Sequence, residues 1–101
     1  MRLVTSPEGI AYYNASYRIF TPWDNVAGPG IRIENNRERT RVTGLELRQP
    51  APVFEIQSRL RFLLVNQPSL FIPISYVVKD WQHGKLAEDI RRYAPQVWSG
   101  A

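Results

Sequence analysis

Residues 84–98 read GKLAEDIRRYAPQVW, and this stretch decides how the chain is organised. Leu86, Ile90, Tyr93 and Val97 recur at i, i+4, i+7 and i+11, which lines them up along one face of an α-helix. Lys85, Glu88, Asp89, Arg91 and Arg92 fill the opposite face, with Glu88 and Arg92 an i,i+4 pair in the favourable order. The ring of Pro95 excludes the preceding helical turn, so the regular helix is expected to end near Ala94. The apolar stripe needs cover, and whatever precedes it must supply that cover.

Upstream the period is two. In VFEIQSRLRFLL, residues 53–64, the set Phe54, Ile56, Ser58, Leu60, Phe62 and Leu64 alternates with Glu55, Gln57, Arg59 and Arg61. That predicts a long half-buried strand, or two strands joined by a bend near Ser58. Ile31 and Ile33 alternate with Arg32 and Glu34, and Leu45 and Leu47 with Glu46 and Arg48. Both patterns suit antiparallel strands wet on one face. The stretches GIAYYN and YRIFT add shorter strands, and Ser6-Pro7-Glu8-Gly9 has turn chemistry between strands. LFIPISYVV is strand-like but contains Pro73, which cannot donate to a ladder and marks an edge or a bulge. About seven strands are expected, near residues 2–5, 9–14, 17–21, 31–36, 40–48, 53–65 and 69–77. The fold class is mainly β with one C-terminal α-helix: a barrel or sandwich of antiparallel strands, capped by the helix, in a single domain spanning residues 1–101.

The size fits one modest core, with 101 residues, 44% of them apolar and 22% charged. That composition sets aside disordered and fibrous classes. No run approaches the roughly 20 apolar residues of a membrane helix, and no signal-type segment follows Met1, so a soluble chain is expected. With no cysteine there is no disulfide or thiolate chemistry. The net charge is +4, and 11 of the 13 basic residues are arginine, whose guanidinium fork pairs bidentately with carboxylate or phosphate. Arg37, Arg39, Arg41, Arg48, Arg59 and Arg61 concentrate mid-chain. Glu34, Glu38, Glu46 and Glu55 are interleaved with them, which favours cross-strand ion pairs over one continuous basic face.

TPWDNVAGPG, residues 21–30, raises the question of a site. Pro22, Trp23 and Asp24 are read as a structural turn: proline presets φ, Asp24 or Asn25 can close the corner through its side chain, and Trp23 with Val26 anchors it. A lone aspartate with no second acid, histidine or metal partner lacks the constellation of acid–base catalysis. Gly28-Pro29-Gly30 matches neither phosphate-loop nor dinucleotide spacing and is expected to be a sharp connection. His83 is the only histidine, and no nucleophile elbow occurs. No catalytic residue, metal ligand or cofactor is assigned, and the chain is read as non-enzymatic.

Short antiparallel strands followed by one C-terminal amphipathic helix is the order of the pleckstrin-homology (PH) superfold. LVTSPEGIAYY, YRIFTPWDNV, LFIPIS and KLAEDIRRYAP together resemble the bacterial PH-like domains, whose members tend to have a Thr-x-x-Gly turn near the start and a tryptophan–acid pair after the next strands. The resemblance implies a binding or scaffold module that recognises a protein segment, a lipid headgroup or its own copy. It also implies a cytoplasmic setting, at the membrane's cytoplasmic face if the chain belongs to something longer. Arg37, Arg39 and Arg41 are the candidate ligand-binding residues, expected to make weak, salt-dependent contact with anions or anionic lipid. The alternative reading is a small nucleic-acid binder using the same hairpin.

Overall fold

The alternating segments of the N-terminal half pair as antiparallel strands. The computed structural model describes residues 1–34, 37–56 and 68–99. In chain order the strands are β1 (Arg2–Ser6), β2 (Gly9–Tyr13), β3 (Tyr17–Pro22), β4 (Val26–Ile33), β5 (Arg41–Leu47), β6 (Val53–Ile56) and β7 (Phe71–Ile72), followed by helices α1 (Lys85–Tyr93) and α2 (Gln96–Ser99). The chain is therefore mainly β, with its helical part at the C-terminal end. The strands form two antiparallel sheets, in the orders β1-β2-β3-β6 and β4-β5-β7. Among the described residues no strand pair joins the two sheets, and they do not close into a barrel.

Period two puts Leu3, Tyr12, Ile19 and Phe54 in one cross-strand row of the four-stranded sheet, facing the core. Tight chemistry sets this register. Ser6 pairs with Gly9 across the first hairpin. At the second, Asn14 Oδ1 accepts the backbone N–H groups of Ser16 (2.7 Å) and Tyr17 (2.8 Å), folding the chain back through its side chain. From the second sheet Leu45, Leu47 and Ile72 meet this row, and Ile90, Ala94 and Val97 close the core from the helical side.

Two expectations are corrected. Gly28-Pro29-Gly30 is not a connection: it lies inside β4, which starts at Val26 rather than near residue 31. Among the described residues β4 is an edge strand, where a proline is tolerated, and the register shifts between Val26 and Gly28. A Cβ on Gly30 would overlap the Glu46 side chain, so the missing side chain makes room for that carboxylate. The strand expected over 69–77 shrinks to Phe71–Ile72, flanked by 3₁₀ turns at Pro68–Leu70 and Ile74–Tyr76. The strand expected over 53–65 is described only as Val53–Ile56, and residues 57–65, with the bend near Ser58, lie outside the described residues. In the helical region Ile90 and Val97 are buried, and Leu86 and Tyr93, partly buried, pack against the same core. Ala87 and Ala94, both 0% exposed, complete the inner face, because their small side chains let the helix approach closely. Pro95 separates α1 from α2, and the cap at Ala94 donates to the Ile90 carbonyl (2.7 Å).

The end of β7 is a matter of hydrogen-bond accounting. Pro73 has no N–H, and the chain leaves the sheet after Ile72, which would strand the Thr43 N–H of β5. The Ser75 hydroxyl accepts that N–H at 3.0 Å. Gly44 permits the crossing, since a Cβ there would overlap the Ile72 carbonyl. Thr43 also accepts, through Oγ1, the indole N–H of Trp81 (3.1 Å). Trp81 belongs to the segment KDWQHGK, which reads as polar in sequence, yet it is one of the largest fully buried side chains. Asp80, in the left-handed region at φ 55°, turns the chain so that this indole enters the core. Ser75→Ala is expected to lower stability by about 1–3 kcal/mol by leaving the Thr43 N–H unpaired. Chemical denaturation of the two proteins measures this directly, and faster amide exchange at Thr43 in the variant would accompany it.

Candidate functional site

The four-stranded sheet turns its second face outward, and the register fixes what that face carries. Val4, Ala11, Phe20 and Val53 form one transverse row across β1, β2, β3 and β6. Val4 is 40% exposed and Val53 36%. Phe20 lies over Gly9, where a Cβ would come within 2.9 Å of the ring. The neighbouring row is Arg2, Tyr13, Arg18 and Glu55. Arg2 places its guanidinium 4.8 Å from the centre of the Tyr13 ring, and Arg18 Nε meets Glu55 Oε2 at 2.7 Å. The close charged contact with Arg18 holds the Glu55 carboxyl below the usual range, and the same contact raises the Arg18 guanidinium. A shallow depression of about 150 Å³ lies among Tyr13, Arg18, Phe20 and Val53. The face is thus an apolar stripe bordered by guanidinium groups that already have partners.

The corner at Trp23 is a single 3₁₀ turn, Trp23–Asn25, entered through Pro22 at φ −67°. Trp23 is buried, donates its indole N–H to the Ser6 carbonyl (2.7 Å) and stacks on Tyr93 of α1, with ring centroids 5.9 Å apart. Asp24 is exposed and makes no cap bond. Asn25 closes the corner instead. Its Nδ2 donates to the Gln49 carbonyl (2.8 Å) and to Thr21 Oγ1 (3.0 Å), its Oδ1 accepts the Gln49 N–H (3.0 Å), and its carbonyl accepts the Arg48 N–H (2.8 Å). The side-chain amide copies the pairing of a neighbouring strand and ties the corner to the loop after β5. Between them lies a cleft of about 400 Å³ lined by Pro22, Asp24, Asn25, Arg48, Gln49, Pro50 and Pro52.

Arg37, Arg39 and Arg41 are all exposed around the β4–β5 connection, with Glu38 exposed among them and Arg39 in the left-handed region at φ 50°. Three of the interleaved carboxylates, Glu46, Glu55 and Glu34, are engaged elsewhere. Glu46 takes a two-pronged bond from Arg32, whose NH2 nitrogen lies 2.6 Å from Oε2, while Arg32 stacks 4.9 Å from the Phe71 ring. Glu55 belongs to Arg18. Glu34 is buried, accepts the Tyr76 hydroxyl and donates its backbone N–H to the Thr40 carbonyl (2.8 Å), which anchors the base of the hairpin. Burial and this carboxylate push the Tyr76 phenol well above its usual range. Among the described residues Glu55 and Glu46 pair across strands with Arg18 and Arg32; Arg59 and Arg61 of the mid-chain cluster lie outside the described residues.

His83 is exposed, and among the described residues no group of histidine, aspartate and glutamate is placed to hold a metal ion. No helix among them is long and apolar enough to cross a membrane. Comparison with known protein families, with curated proteins and with solved structures finds no match to this chain.

Two outcomes follow from the geometry. Asn25→Ala is expected to cost about 1–3 kcal/mol and Asp24→Ala about 0.5 kcal/mol or less, because only Asn25 leaves paired backbone groups behind; thermal denaturation of both variants checks the difference. The depressed Glu55 carboxyl stabilises the fold at pH above its unfolded range, a contribution lost as pH falls through the folded value. In Arg18→Gln the Glu55 titration midpoint, followed by NMR at the carboxyl carbon, should therefore move up toward that of an ordinary glutamate.

Proposed function

We propose that this chain is a small non-enzymatic binding module of PH-like type that acts in protein association, with the outward face of the four-stranded sheet as its contact surface. Seven antiparallel strands among the described residues, followed by a helical cap, support the PH-like reading. The observation that carries the contact surface is the apolar row on the sheet's outer face, in which Val4 and Val53 are exposed and Phe20 is half-buried beside the buried Ala11. An apolar centre rimmed by arginine and tyrosine is the composition of an association surface, where aromatic and guanidinium groups supply anchors and orientation. The partner is a protein segment or a second copy of the chain.

The exposed trio Arg37, Arg39 and Arg41 supports a second, weaker activity toward anions. Exposed guanidinium groups are screened at physiological salt and contribute little individually. Stacking of bases on this sheet is disfavoured by the full burial of Tyr12 and by the engagement of Arg18 with Glu55.

The test pairs Val4→Lys with Val53→Lys in one variant, both positions being open enough to accept lysine. Self-association by analytical ultracentrifugation and partner capture from the native cell should weaken about tenfold or more, with the melting temperature close to that of the parent. Undiminished association in the double variant would reject the sheet face. Tight binding to anionic liposomes or oligonucleotides near 0.15 M salt, abolished by Arg37→Ala with Arg39→Ala, would move the function to the hairpin.

A further inference from the structure

The cleft between the Trp23 corner and the loop after β5 goes beyond that reading. Its walls are rigid. Pro22 stands on one side and Pro50 and Pro52 on the other, each with φ fixed by its ring, and the paired bonds between Asn25 and Gln49 hold the two segments together. A ligand entering it has little to order, so the usual entropic cost of shaping a site is small. The cleft is shallow and open to solvent, and its volume of about 400 Å³ leaves room for a ligand of roughly a dozen non-hydrogen atoms, at about 30 Å³ per water-sized unit.

The lining sets the chemistry. Its apolar surface is made of pyrrolidine rings, which pack well against flat rings, the reverse of an aromatic groove receiving a proline segment. Its charges are one carboxylate, Asp24, and one guanidinium, Arg48, from the two different segments; both are exposed, and among the described residues they form no ion pair with each other. A simple anion drawn to Arg48 would meet Asp24, and a simple cation drawn to Asp24 would meet Arg48. A ligand bearing both charges satisfies both.

We infer that this cleft binds a small zwitterion with a planar apolar body, the chemistry of a free aromatic α-amino acid. Its carboxylate pairs with the Arg48 guanidinium, its ammonium with Asp24, and its ring packs on the prolines.

The experiment is an amide NMR titration of the full chain with L-tryptophan and L-phenylalanine, alongside N-acetyl-L-tryptophan amide, which keeps the ring and lacks both charges. Saturable shifts at Asn25, Arg48 and Gln49 are expected, with Kd on the order of 1 mM, the scale for so small a ligand. The blocked compound should bind at least about fivefold more weakly, and Arg48→Gln and Asp24→Asn should each weaken L-tryptophan about three- to fivefold while leaving the blocked compound unaffected. Spectra superimposable outside the cleft confirm that both variants fold. Absence of saturable shifts up to about 20 mM, well above the expected Kd, would overturn the inference. Equal affinity for the blocked compound would overturn it too, without reference to either variant.

Discussion

Thr43 binds in two directions, and the joining of the sheets to the helical end depends on it. Its backbone N–H is taken by the Ser75 hydroxyl, and its own hydroxyl takes the Trp81 indole N–H. The first bond lets the chain leave the sheet at Pro73 without a buried donor left unpaired. The second brings Trp81 into the core four residues before α1 begins, so that Ala87 and Ile90 follow it inward. Because β5 carries Leu45 and Leu47 toward the main core and Val42 toward Phe71 and Tyr76, this strand is buried on both sides. A polar residue at its centre is tolerated because its bonding groups are used.

The same economy governs the other joints. Asn14 closes one hairpin and Asn25 the corner, each by offering a side-chain amide where the backbone lacks a partner. Prolines punctuate the chain at 22, 73 and 95, and at each the ladder or helix stops and another group completes the bonding. The proline-lined cleft is a by-product of this construction: two segments that cannot extend as strands are held side by side by Asn25.

Charge is distributed by the same register that sorts apolar residues. Arg18 and Arg32 each face a glutamate across a strand pair, and their positive charge is locally offset. Arg37 and Arg39 lie where pairing between β4 and β5 has ended, and Arg41, the first residue of β5, stands opposite Ile33 rather than a carboxylate. The positive charge is therefore not spread evenly: Arg18 with its glutamate borders the apolar sheet face, Arg32 with its own lies on the second sheet, and the exposed Arg37, Arg39 and Arg41 collect around the hairpin.

Several features were determined by the sequence alone, because they depend on interactions near in the chain. Alternation in residues 31–34 and 45–48 specified strands, since a one-residue slip would turn every side chain to the wrong face. Pro95 specified where α1 ends, and the absence of cysteine removed a whole class of chemistry. Tertiary structure alone decided the rest, because it turns on contacts between residues far apart. Gly28-Pro29-Gly30 looks like a turn but becomes a strand, as Glu46 of β5 fills the space above Gly30 and the edge position tolerates Pro29. Trp81 looks stranded among polar neighbours until Thr43, 38 residues earlier, supplies its acceptor. Asp24 and Asn25 were equal candidates for closing the corner, and only the approach of Gln49, 24 residues away from Asn25, selects the amide over the acid: an amide can donate to the Gln49 carbonyl and accept from its N–H at once, and a carboxylate can only accept.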